Sequence, residues 1–400
     1  GGGWTAKDIF MDSARAHEIR IGDIHPNDGN EIVLVGYSQN VTLVSPSGWE
    51  ARYAFVGSDD LECIDGIAIG DVVSSHEGNE MVWVARDEKV YIGYYDDTTE
   101  SWTYDDIWNT PGQQLTPSIG DIRPDLEGNE ILVSGLSSGT EEINPGEGTA
   151  TVLSRSGATW NAERAFTFSR LIHGCDIGDV DPTIPGEEGI LTTFADDGTG
   201  TGRAYMIWYD QNANAWNSSL IFHDGYNVRK VVIADILTDR PGLELVTVSK
   251  SGNVTIAYGG SDGWTYEVIY ENPDEPMARV AVGDVDTSTP GLEIYAGTDT
   301  FKVLGFKRNG DEWDMQEIFT DTNKIRGVWV GDVDPNVPGN EIYSYGYSTR
   351  LVQITGTFGG GWTAKDIFMD SARAHEIRIG DIHPNDGNEI VLVGYSQNVT

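Results

Sequence analysis

A unit of about fifty residues, written seven times and then begun once more, constrains this 400-residue chain more than any other feature. Its first marker is Gly-Asp, a short polar turn, then Gly-x-Glu or a close variant that leads an apolar run. The marker pairs Asp23 with Glu31, Asp71 with Glu80, Asp121 with Glu130, Asp179 with Glu188, Asp235 with Glu244, Asp284 with Glu293 and Asp332 with Glu341, and a truncated copy places Asp381 with Glu389. A second marker keeps step with it, a tryptophan followed six positions later by an aromatic residue. It occurs at Trp49 and Phe55, Trp102 and Trp108, Trp160 and Phe166, Trp216 and Phe222, Trp264 and Tyr270, Trp313 and Phe319, Trp4 and Phe10, and again at Trp362 and Phe368. Two independent markers in one phase argue against chance.

Within a unit the apolar residues fall in four short runs bounded by turn residues, as in EIRIGDI, EIVLVGYS, VTLVSP and WEARYAFV, and no helical period accompanies them. A four-stranded sheet buries both its faces only when others pack against it, so the expected fold is all-β, a seven-bladed β-propeller of four-stranded antiparallel blades. Apolar residues two and four positions before each Asp, such as Ile19 and Ile21, are expected to pack against the neighbouring blade. Glycine precedes the Asp in six units and Ala234 in the fifth, which fits strands converging on a crowded axis and makes this the innermost strand. The Trp-led strand is then the outermost, with its indole wedged between blades.

Residues 1–42 and 359–400 are identical at every position. The expected organisation is a propeller over 1–358, with either 1–13 or 359–371 supplying the outer strand of blade seven. Residues 359–400 are then the start of a next propeller copy or a redundant overlap. Because closing a short turn costs less chain entropy than closing a loop of hundreds of residues, the Trp362 segment is expected to win that slot. The Trp4 strand would be displaced and the inner strands near Asp381 left without a blade, so that displaced strands insert into other molecules and build filaments.

The Asp turns resemble the calcium loops of the FG-GAP or VCBS family of integrin-like propellers, closely in DIHPNDGNE of the first unit and more loosely elsewhere, where an extra residue lengthens the loop. The resemblance implies calcium as the cofactor. Calcium needs six to eight oxygens, so a lone Asp with one distant Glu falls short. Three turns carry a second carboxylate: Asp179, Asp181 and Glu188; Asp284, Asp286 and Glu293; Asp332, Asp334 and Glu341. These are the candidate metal ligands. In the other turns the Asp is expected to accept backbone N–H groups and the Glu to bond across strands.

Lys and Arg number 25 against 64 Asp and Glu, a formal charge of −39 that repels nucleic acid and anionic lipid. No apolar run approaches the roughly 18 residues of a membrane span, so no membrane insertion is expected. Cys63 and Cys175 fall on equivalent strands of non-adjacent units and are read as buried free thiols. A composition rich in Gly, Thr, Asn, Trp and Tyr, with glycosylation sequons at Asn40, Asn217, Asn253 and Asn398, resembles that of a secreted or cell-surface glycoprotein.

Strand alternation puts the loops between second and third strands on the same end as the connections between blades. The long insertions LSSGTEEINPGEGTA and ADDGTGTGRA mark that end as the variable face. Six positions before the Asp stand His17, Asp65, Leu115, His173, Arg229, Ala278 and Arg326, with Arg279 beside Ala278. His17, His173, Arg229, Arg279 and Arg326 are therefore read as a channel mouth that attracts an anion such as a uronate. No nucleophile elbow, P-loop, HExxH or Cys/His zinc spacing is present. The function expected is a non-catalytic, extracellular structural or adhesive module, calcium-binding and one unit of a tandem array or filament, with other copies of itself and glycans as partners. The alternatives are a carbohydrate-active enzyme of lyase or dehydratase type and a glycan-binding propeller, each with its site at the Arg/His end of the channel.

Overall fold

The structure, a computed structural model, describes residues 4–25, 29–58, 62–76, 78–96, 98–140, 146–194, 201–288, 291–383 and 387–400, with Arg229, Lys230 and Ala278 described through their backbone alone. In blade one, Ala16–Asp23 pairs antiparallel with Asn30–Gly36, which pairs with Asn40–Ser45 and then with Glu50–Val56. The same order recurs in the sheets that begin at Ile64, Gln114, Ile172, Val228, Met277 and Ile325.

The described residues form eight such sheets, so the expected count of seven blades is corrected to eight. Blade seven takes Gly361–Met369 as its outer strand. The inner strands near Asp381 then pair with one another: Ala374–Gly380 with Glu389–Gly394, and Glu389–Gly394 with Asn398–Val399. The N-terminal strand Phe10–Met11 adds to Asn398–Val399 and closes this eighth sheet across the termini. That strand is consumed within its own ring, which removes the donor on which the expectation of strand exchange rested.

The repeated residues are those that each blade junction needs. A Cβ on Gly22 would lie 3.1 Å from Ile69 of the next blade, one on Gly70 3.0 Å from Ile119, and one on Gly380 3.1 Å from Ile21, where blade eight meets blade one. The glycine before the Asp is thus a close-approach site for the apolar residue two positions before the next Asp. The Asn before the Glu latches blades together at the same end: Asn79 Nδ2 donates to the Asp23 carbonyl at 2.7 Å, Asn129 to that of Asp71 at 2.8 Å, Asn388 to that of Asp332 and Asn30 to that of Asp381, both at 2.7 Å. The tryptophans do wedge between blades. Each interblade core among the described residues takes one, from Trp49 between blades eight and one to Trp4 between seven and eight. The duplicated segments act alike at successive junctions, Trp362 Nε1 donating to Gln316 at 3.0 Å and Trp4 Nε1 to Gln353 at 3.3 Å.

Candidate functional site

The Asp turns show how the Glu of the signature is used. Glu188 Oε2 accepts the N–H groups of Val180 at 3.0 Å and Asp181 at 2.9 Å, Glu293 those of Val285 and Asp286, and Glu341 those of Val333 and Asp334. The second carboxylates reach further. Asp181 accepts from Thr183 and, at 2.6 Å, from the N–H of Ser261 in blade five. Asp286 accepts from Ser288, from Lys307 Nζ at 2.6 Å and from the N–H of Phe358 in blade seven at 2.9 Å. Burial alone would raise the Asp286 carboxyl, but Lys307, Ser288 and Phe358 hold it below the ordinary value. Asp334 accepts from both nitrogens of Asn336. Among the described residues no group of three or more His, Cys, Asp or Glu side chains has the geometry to hold a metal ion.

The innermost strands line an axial cavity of about 480 Å³. It brings together His17, His173 and Arg279 of the expected channel mouth, along with Glu18, Asp176 and the half-buried thiol of Cys175, which burial pushes up to about 12. Cys63 is buried, and both cysteines are free. Arg326 approaches the same end through His375, whose Nε2 lies 3.5 Å from the guanidinium. The side chain of Arg229 lies outside the described residues, as do residues 141–145 and 195–200 of the two long insertions. The ring has an eighth member that a seven-blade count omits: His375, six positions before Asp381, whose imidazole centroid is 4.8 Å from that of His17. Burial, then His17 and Arg326, push the His375 imidazolium down to about 3. His17 Nδ1–H donates to the Asp65 carbonyl at 3.0 Å. Asp65 is itself paired with Arg86 at 3.2 Å and accepts from Gln113.

A second feature at this end was not singled out from sequence. Tyr37, Tyr347 and Tyr395 occupy the turns between second and third strands of blades one, seven and eight, and Arg15 and Arg373 sit in the connections that enter blades one and eight. The chain brings them side by side because the Tyr37 N–H donates to the Arg15 carbonyl and the Tyr395 N–H to that of Arg373, both at 3.1 Å. Gly36 and Gly394, one residue earlier, permit the crossing, since a Cβ on Gly36 would lie 2.6 Å from the Arg15 carbonyl oxygen. The outcome is an alternating stack. The Arg373 guanidinium lies 4.5 Å from the Tyr347 ring centroid and 3.9 Å from that of Tyr395, Arg15 lies 4.6 Å from Tyr395 and 4.1 Å from Tyr37, and Arg86 caps Tyr37 at 5.7 Å. Cation–π contacts hold the guanidinium faces, Arg15 Nη1 also donates to the Tyr395 hydroxyl, and the other N–H groups on the edges are left to a ligand. The sequence signal is Gly-Tyr-Ser at residues 36–38, 346–348 and 394–396.

The glycosylation candidates Asn40, Asn217 and Asn253 are half-buried, and Asn253 Nδ2 donates to Asp224 at 3.1 Å.

No protein-family model and no curated protein matches the sequence, so nothing at family level stands behind the FG-GAP or VCBS resemblance. Solved structures do match the fold. Saccharomyces cerevisiae Sqt1 superimposes with a TM-score of 0.65 at 10% identity, over 97% of this chain and 96% of that one. Chaetomium thermophilum Sqt1 bound to the N-terminus of the ribosomal protein L10 superimposes with a TM-score of 0.61 at 12% identity, over 97% and 98%. These neighbours overturn the expectation of an extracellular structural or adhesive module. The expected partners, glycans and further copies of the chain, are corrected on the same ground, as is the secreted or cell-surface location: the partner seen on a propeller of this shape is a ribosomal protein segment.

Proposed function

We propose that this chain is a protein-binding propeller that seats an extended, carboxylate-bearing segment of a partner on the Arg–Tyr stack at the mouth of its channel. One observation carries the proposal: in a chain with 64 acidic residues against 25 Lys and Arg, Arg15 and Arg373 have tyrosines and no carboxylate as partners among the described residues. Arginine and tyrosine dominate binding hot spots because they offer large, rigid contact area with directed donors. Tyr347 and Tyr395 are 37% and 36% exposed, enough ring to receive an apolar side chain beside the charge. The net charge does not forbid an acidic ligand, since a screening length of about 8 Å at physiological salt mutes carboxylates across the ring but not an arginine in contact. The Sqt1 complex supports a protein segment as the class of ligand, since a propeller of this architecture there holds the N-terminus of a ribosomal protein.

Fluorescence anisotropy with a labelled Asp/Glu-rich peptide tests the proposal. The double variant Arg15→Ala/Arg373→Ala should weaken binding by about tenfold or more. Arg308→Ala, which removes a cation already paired with Asp239, should leave it unchanged. Absence of binding by the parent chain, or equal binding by the double variant, overturns the proposal.

A further inference from the structure

The residues five positions before the Asp of each turn share one rung of the inner strands: Glu18 lies opposite Val35, Arg279 opposite Gly297 and Glu376 opposite Val393 in their sheets. In blades one and eight this rung carries a carboxylate that is matched twice. Glu18 pairs with Arg20, two residues on along the same face, at 2.5 Å and accepts the N–H of Ile67 in the next blade at 3.0 Å. Glu376 pairs with Arg378 and accepts the N–H of Ile19 at 3.3 Å. Blade six inverts the sign and drops the partner. Two residues after Arg279 stands Ala281, and the rung holds Lys230 in blade five and Gly327 in blade seven, so neither flanking blade offers an acid at this height. Arg279 is half-buried and lines the axial cavity of about 480 Å³ with no carboxylate and no hydrogen-bond acceptor among the described residues. His375, in the same wall, shows the consequence. It is 9% exposed, and because the Arg326 guanidinium beside its Nε2 only donates, the ring hydrogen rests on Nδ1, which meets no acceptor among the described residues. After burial, His17, Arg326 and Arg279 push its imidazolium down, and Glu376 alone opposes them.

We infer that the axial cavity is a binding site for a small monocarboxylate, held by the Arg279 guanidinium. The charges of the wall select a single negative group. Arg20 is matched by Glu18 and Arg86 by Asp65 at 3.2 Å, which leaves Arg279 without a counter-charge among the described residues. Asp176 of the same wall stands two blades away, on a different rung. A planar guanidinium meets a carboxylate through two parallel N–H bonds, whereas a phosphate with nearly two charges would find no second cation to offset it. The cavity is of the size that small molecules occupy, and the hydroxyls of Ser118 and Thr192 make its wall polar, so the ligand carries polar groups besides the carboxylate. The site is separate from the Arg–Tyr stack: Arg279 belongs to the inner strand Met277–Gly283 of blade six, whereas Arg15 and Arg373 sit in the connections that enter blades one and eight.

The probe is lactate, titrated into the full chain by calorimetry and followed in parallel by thermal melting. Saturable binding is expected, with a rise in melting temperature, and lactamide, which has the same shape without the charge, should produce neither. Arg279→Gln should weaken lactate binding by about tenfold or more, and Arg279→Lys, which restores the charge but not the fork, should recover part of it. Because Arg279 has no partner to lose among the described residues, Arg279→Gln without ligand should melt no lower than the parent, which separates a lost site from a lost fold. Arg15→Ala/Arg373→Ala should leave lactate binding intact. The proposal fails if lactate does not bind the parent, if lactamide binds as well, if Arg279→Gln binds lactate as the parent does, or if the Arg15/Arg373 double variant loses it.

Discussion

Glu188→Gln tests whether the buried Glu of the repeat signature is a turn-capping group that the fold holds at an electrostatic cost. Glu188 is fully buried, its Oε2 accepts two backbone N–H groups, and its Oε1 meets no donor among the described residues. Burial outweighs the two hydrogen bonds and pushes its carboxyl up to about 7, against an ordinary value of 4.5. A carboxyl that keeps its proton longer in the native state than in the unfolded chain stabilises the fold below the unfolded value. It loses that contribution as pH rises through the folded one. Between about pH 5 and about pH 8 the loss amounts to roughly 2 to 3 kcal/mol, with no discount for exposure. Glutamine cannot titrate, and any cost of its buried amide is the same at both pH values. The measurement is therefore a double difference: urea denaturation of parent and variant at each pH, with the parent expected to lose about 2 to 3 kcal/mol relative to Glu188→Gln on going to the higher pH. Parallel pH profiles, agreeing within about 0.5 kcal/mol, would mean that Glu188 is ionised throughout and that its backbone bonds offset its burial.

Gly283→Ala should destabilise by about 1 to 3 kcal/mol, because its Cβ would overlap Val330 of the next blade, while Gly225→Ala, with open space around it, should be neutral or slightly stabilising by thermal melting. Trp362→Ala should cost roughly 2 to 3 kcal/mol and Trp4→Ala less, since both indoles are half-buried but only the Trp362 strand is paired along its length; equal losses would refute the weaker outer strand in blade eight. Calcium at Asp284 and Asp286 would have to displace Lys307, so titration with calcium should leave the melting temperature within about 1 °C of chelator-treated protein, and a larger rise would establish a metal site.

What recurs in every blade was legible because it serves one junction repeatedly. The Gly before the Asp meets the next blade's Ile, and the Trp fills the interblade core, so each leaves a periodic trace that sequence alone displays. The register argument also carried over to the site: residues at one offset from the Asp must lie at one height in a closed ring, which is why His17 and His173 line one cavity. The Arg–Tyr stack escaped because its tyrosines are confined to blades one, seven and eight, and a search for what is periodic discards what three neighbouring blades share. The blade count failed for a different reason. Blade eight draws its outer strand from Phe10–Met11 and its inner strands from beyond Ala374, a pairing across the length of the chain that no local pattern announces. A truncated unit then looks surplus. The identical copies separate the two contributions: the residues at 31–36 and 389–394 form the same strand in both blades, so strand formation is local, while Ile32 and Ile390 differ in burial because their third strands differ. In this ring sequence specifies the strand, and the neighbour it finds decides how far the strand's apolar face is buried.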